Sequence, residues 1–391
     1  MIKNIKAITA SCYVSMFFLG VSASVVGAAA RNIGLSPYQI GLLLAAQNIG
    51  FMASVFLSGT LSDSYDKPRI LMIGSLILSA GLLAFYRTQL LWVNMVVILL
   101  IGAGMATYEG VTDPLLVDSH GERATFHINI NHFFVNFGAA MMPLYMIFLR
   151  EDWQRAVAQA GFAVLVIAAV FGATRVKAAR KRAASYAERF RILARERVLL
   201  LLALAMVAAA GVELGTMGIL TTYLMELRGF SQVTSKIGLV VFFLGMAVGR
   251  IVAGFLTRKG GIVRYTLGFL GVCIFAFAAL YFVDVGGFTY VTIALAGLAL
   301  SAPLPLMLAL AGLLYPNIAG TAMAALKLSA GLGGVIVPFL MSLVTKAASL
   351  EVALAVFPAV CLAGFMTLLV AARRIRPAAP AEGSGPQLEA R

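Results

Sequence analysis

The sequence predicts an all-α polytopic membrane protein whose twelve transmembrane helices form two pseudo-symmetric six-helix bundles. Three observations lead there. Of the 391 residues, 61% are hydrophobic and only 12% are charged, whereas a water-soluble globule is apolar over only about half of its residues. Apolar runs of about 20 residues, long enough to cross roughly 30 Å of hydrocarbon as helix, recur twelve times. Glycines and prolines of the first half also reappear in the second half at a fixed offset of 195 residues.

The first six runs lie at about 7–30, 36–62, 69–86, 90–116, 124–148 and 154–174, and the second six at about 198–225, 232–256, 263–283, 288–314, 319–344 and 350–372. They define an N-terminal bundle over 1–175 and a C-terminal bundle over 198–374. Between them, 176–197 reads as a basic amphipathic helix on the membrane surface, and 375–391 reads as a disordered polar tail. Placing the linker in the cytoplasm puts both termini there. Lysine and arginine then concentrate on the inner side, at Lys3, Lys6, Lys67, Arg69 and throughout the linker, with fewer outside, as the positive-inside rule requires.

A net charge of +14 therefore points to anionic lipid headgroups as the partner of the inner face. No nucleic-acid-binding motif competes with that reading. Cys12, Cys273 and Cys361 lie far apart in apolar runs and indicate neither a disulfide nor a metal site. The first apolar run lacks the small-residue cleavage pattern of a signal peptide, and no Asn-x-Ser/Thr site occurs. A bacterial inner membrane is the expected location, and no cofactor is implied.

The repeat pairs Gly20 with Gly215, Gly50 with Gly245, Gly59 with Gly254, Gly102 with Gly297, Gly138 with Gly333 and Pro143 with Pro338. Such residues mark places where helices touch or bend, so a constant offset argues for two copies of one six-helix unit. Parallel repeats of six spans around a midplane site are a transporter architecture, and the chain here resembles the major facilitator superfamily. The segment from Gly59 through Asp63 and Lys67 to Arg69 is similar to that superfamily's Gly-x-x-x-Asp-(Arg/Lys)-x-Gly-(Arg/Lys) loop, with Ser64 and Asp66 departing from it. Its second-half echo runs from Gly249 and Arg250 to Arg258. The resemblance implies a cytoplasmic gate formed by Gly59, Asp63, Lys67, Arg69, Arg250 and Arg258.

Ionisable residues inside apolar helices mark functional sites, because an unpaired charge in hydrocarbon costs several kcal/mol. Glu109 and Asp113 stand four apart on the fourth helix and share a face. Asn129, His132 and Asn136 share a face of the fifth. Because the two helices are antiparallel neighbours, both stripes fall at a similar depth. An imidazole changes charge near neutral pH, which makes His132 with Glu109 the expected proton carriers. In the second half Glu213 lies near mid-membrane, and Lys327 is the repeat counterpart of His132.

The stretch from Glu109 to Pro114, followed by Ile128 to Ala139, also resembles the fourth and fifth helices of the fucose:proton symporter family. That resemblance implies proton coupling and sugar recognition at Glu109 and substrate binding at the position of His132. Gly211-Val-Glu213 with Tyr223 is similar to the family's seventh helix. Here, however, the first helix is nearly apolar, His132 replaces a glutamine, and Asp113 replaces an asparagine. The site is more ionic than a neutral hexose needs. The expected function is proton-coupled transport of a small polar solute, sugar-like, charged or zwitterionic, with Asp113, Asn129, Asn136, Glu213, Tyr223 and Lys327 in substrate binding. Proton-antiport efflux is the alternative. An intramembrane enzyme fits less well because it would not require duplicated halves, and a receptor because the chain nearly lacks soluble domains.

Overall fold

The computed structural model describes residues 5–120, 124–174, 196–257, 261–315, 319–377 and 388–390. Residues 176–195 of the linker lie outside them. The helices are α1 (Ile5–Ile33), α2 (Pro37–Ser64), α3 (Lys67–Ala84), α4 (Leu91–His120), α5 (Ala124–Phe148), α6 (Trp153–Ala173), α7 (Arg197–Arg228), α8 (Gln232–Thr257), α9 (Ile262–Phe282), α10 (Thr289–Leu300), α11 (Pro303–Leu314), α12 (Ala319–Ala347), α13 (Leu350–Leu354) and α14 (Val356–Arg374). Together they make twelve transmembrane spans, the tenth from α10 and α11 and the twelfth from α13 and α14. Ten of these spans meet length and composition criteria for crossing a membrane among the described residues. The other two, α2 and α5, include side chains outside the described set.

Two apolar runs that the sequence reads as unbroken are divided. The tenth span breaks at Ser301–Ala302, before Pro303 and Pro305, neither of which can donate a backbone hydrogen bond. The twelfth breaks at Ala355, where Pro358 cannot donate to the Leu354 carbonyl. The tail expected to be disordered holds a short antiparallel pairing between β1 (Ile375–Pro377) and β2 (Leu388–Ala390).

Repeat symmetry is visible in the helix starts. Those of α2 and α8, of α3 and α9, and of α5 and α12 all differ by 195 residues. The repeated glycines sit where helices cross. A Cβ added to Gly50 would lie 2.0 Å from the Leu99 carbonyl oxygen, and one on Gly102 would lie 1.9 Å from that of Gln47, so α2 and α4 touch backbone to backbone. Gly245 and Gly297 bring α8 and α10 equally close, against the Ala294 and Phe242 carbonyls. With no hydrophobic driving force between helices in lipid, close van der Waals contact of this kind holds a bundle together. Gly254, the partner of Gly59 in the repeat, meets nothing within 4 Å.

The chain divides into two compact units, Met1–Ala183 with Met217–Val240, and Ala184–Thr216 with Val241–Arg391. The end of α7 and the start of α8 pack into the first unit. Gly27 meets the Met217 carbonyl, and Thr221 Oγ1 donates to the Gly27 carbonyl at 2.6 Å. In this unit α1 packs on α5, and α4 on α2 and α3. Large side chains such as Trp92, Phe162 and Phe255 are exposed, as a lipid-facing surface requires.

Candidate functional site

In α4, Pro114 removes the helical hydrogen bond to the Gly110 carbonyl. The unpaired Gly110 carbonyl falls between Glu109 and Asp113 in an otherwise continuous helix, and the two side chains, four apart, stay on one face. From the His120 end of α4, Asp113 is about 10 Å in and Glu109 about 16 Å in, and His132 is about 12 Å in from the start of α5, at 1.5 Å per residue.

The three side chains converge. His132 Nε2 lies 2.9 Å from Asp113 Oδ2, and one ligand atom each from Glu109, Asp113 and His132 falls within 4.8 Å of the others. All three residues are half-buried. Asp113 is oriented from beneath by Asn131, whose Nδ2 donates to Asp113 Oδ1 at 3.0 Å and to Thr112 Oγ1 at 2.9 Å. Both Asn131 and Thr112 are fully buried. Beside Glu109, the buried Tyr108 donates its hydroxyl to Ser75 Oγ on α3 at 2.8 Å, tying the site to a third helix.

A model of the Major Facilitator Superfamily matches residues 8–292. The chain belongs to that superfamily. Its fold likenesses agree over nearly the whole length. A bacterial homolog of the human lysosomal transporter Spinster, inward-facing and unoccupied, superposes with a TM-score of 0.76 at 15% identity, covering 95% of this chain and 96% of that one. The nucleoside transporter NupG superposes with a TM-score of 0.77 at 12% identity, covering 95% of this chain and 100% of that one. At these identities the likeness concerns the fold. None of the curated proteins matches the sequence significantly.

Within this major facilitator fold, the other residues singled out by sequence fall into several places. Asn136 Nδ2 reaches the His132 carbonyl at 3.4 Å, an interaction within α5. The side chain of Asn129 lies outside the described residues. In the second unit Glu213 and Arg250 face each other, Oε1 to Nη2 at 3.9 Å, so the arginine expected at the gate stands against the glutamate expected at the substrate. Lys327 is exposed on α12, nine residues into the helix as His132 is into α5. Tyr223 is fully buried, and its hydroxyl accepts from Arg228 Nε at 2.7 Å in the first unit.

Of the residues expected at the gate, Lys67 is buried and pairs with Asp118 at 2.7 Å, joining the start of α3 to the end of α4. Arg69 stands 3.7 Å from Asp66. The surroundings of Gly59, the side chain of Asp63 and the whole of Arg258 lie outside the described residues.

The sequence reading missed two features. Asn131 was passed over because the helical stripe 129, 132, 136 leaves it about 100° off that face; its direct neighbour His132 was the available signal. The second is a charged network at the opposite end of the first unit from the chain start. There Arg31 pairs with Glu226, Lys236 pairs with Glu151, Lys236 Nζ donates to Asn32 Oδ1 at 2.8 Å, and Asn32 Nδ2 donates to the Glu151 carbonyl at 3.0 Å. Arg31 and Glu226 are 195 residues apart, so the repeat places them at equivalent positions with opposite charge. That inversion was readable in the sequence.

Proposed function

We propose that this major facilitator chain is a proton-coupled secondary active transporter that moves a small polar solute, sugar-like or charged, by alternating access. The observation that carries the reading is the convergence of Glu109, Asp113 and His132 inside the bundle, held by buried polar partners. Acidic side chains inside a membrane helix are costly unless paired or facing a wet cavity, and so mark functional sites. Glu109 and His132 take the proton; Asp113, fixed by Asn131, presents a carboxylate to the solute alongside Asn129 and Asn136. Glu213, Tyr223 and Lys327 serve the same solute from the second half. The resemblance to the fucose:proton symporters and the fold likeness to a nucleoside transporter both favour a polar solute.

In the cycle, protonation from the outside precedes solute binding, and rocking of the repeats releases both to the cytoplasm. Breaking Lys67–Asp118, with Asp63, Arg69, Arg250 and Arg258 in the same gate, accompanies opening on the inside. The protein sits in a bacterial inner membrane with both termini cytoplasmic, its basic inner face on anionic headgroups.

The test is reconstitution into liposomes loaded with a pH-sensitive dye and exposed in turn to sugars, nucleosides, amino acids and organic anions. Internal acidification by one of these classes supports symport. Alkalinisation instead identifies the antiport alternative, and silence across the panel contradicts proton coupling.

A further inference from the structure

The residues that this proposed function uses for protons and solute are also a set of metal ligands. One imidazole nitrogen and two carboxylate oxygens, all within 4.8 Å, form a mixed nitrogen and oxygen donor set on two adjacent helices. The 2.9 Å between His132 Nε2 and Asp113 Oδ2 is about the separation of two ligands bound at right angles, at roughly 2.0–2.1 Å, to one ion. That contact is a hydrogen bond between the two groups, and an ion would take the place of its proton.

The outer shell fits as well. Ligating carboxylates are ordinarily held by further hydrogen bonds, and Asn131 holds the Asp113 oxygen that the imidazole leaves open. Asn131 is fully buried, and its Oδ1 has no hydrogen-bond partner among the described residues. A buried acceptor left in that way is ordinarily satisfied by an ordered water. Both carboxylates together match the charge of a dication. The half-exposure of all three ligands leaves positions for water or solute.

We infer that Glu109, Asp113 and His132 bind a divalent first-row transition-metal cation, as a free ion or within a chelate whose other ligands fill the open positions. The nitrogen donor selects manganese, iron, cobalt or zinc over calcium and magnesium, which take all-oxygen sites. The inference rests on this cluster being the transporter's binding site and names the class of solute it admits; because metal ligands must be deprotonated, the ion and the proton would occupy Glu109 and His132 in turn, as in the antiport alternative.

Cobalt(II) is the probe. Titrated into the purified full-length chain in nanodiscs stripped with a chelator, it is expected to saturate at one ion per chain, with a visible d–d absorption and no competition from magnesium or calcium. Asn131→Ala should weaken binding about tenfold and His132→Gln by more than that, while both variants stay monodisperse. Vesicle uptake of cobalt with and without citrate separates the free ion from the chelate. Absence of saturable binding, or equal binding by His132→Gln and the parent chain, overturns the inference. In chelator-treated vesicles, proton movement driven by a metal-free solute with no cobalt binding would remove the metal site and leave proton coupling standing. Cobalt binding without proton movement would do the reverse.

Discussion

The cluster on α4 and α5 and the charged network joining α1, α7 and α8 are built from the same residue types and behave as opposites. In the network, two cations meet two anions, Asn32 links Lys236 to Glu151, and Lys236 has only 1% of its side chain exposed. Charge is balanced, and the Lys236–Glu151 pair is largely buried. In the cluster, two acids face one imidazole, and His132 keeps 35% of its side chain exposed. A charge-balanced network holds helices together, whereas the acid-rich, half-exposed cluster beside Pro114 is the proposed binding site. The difference separates the fastening of the first unit from its proposed working site.

The comparison breaks if truncation shows the roles reversed. Lys236→Ala leaves Glu151 without its counter-ion in a mostly buried place, and losses of this kind cost about 3–5 kcal/mol. A large drop in the thermal unfolding midpoint in detergent is expected, and an unchanged midpoint would demote the network. Asn131→Ala removes a buried donor to Asp113 at a cost of about 1–3 kcal/mol; its transport rate should fall out of proportion to its melting shift.

Gly102→Ala probes the scaffold beneath both regions. The new methyl meets the Gln47 carbonyl and should cost about 1–3 kcal/mol, whereas Gly254→Ala, with open space around it, should be neutral or slightly stabilising. Unfolding curves of the pair decide whether the repeated glycines act through helix contact. The smallest effect is expected at Arg31 and Glu226. Each keeps about a third of its side chain exposed, so Arg31→Ala should cost about 0–1 kcal/mol and less at high salt. Exchanging the two residues should restore any loss.

Most of the architecture was legible because lipid imposes a simple length rule, and because glycine at a constant offset records where backbones touch. Glu109, Asp113 and His132 were legible because charge inside an apolar helix stands out. What escaped depends on partners distant in sequence. Arg31, Glu151, Glu226 and Lys236 look like ordinary charges at helix ends until the fold brings them together. Asn131 is an off-stripe polar residue until Thr112 and Asp113 face it. Arg250 reads as a gate residue in its motif, yet its nearest acid is Glu213 on α7, which no spacing along α8 reveals.

The most direct test of the account compares proton-gradient-driven accumulation with solute exchange at equal pH in vesicles carrying Glu109→Gln, using whichever solute acidifies the parent vesicles. Coupling through Glu109 predicts that accumulation falls to the equilibrium level while exchange persists. Accumulation equal to that of the parent chain would contradict it.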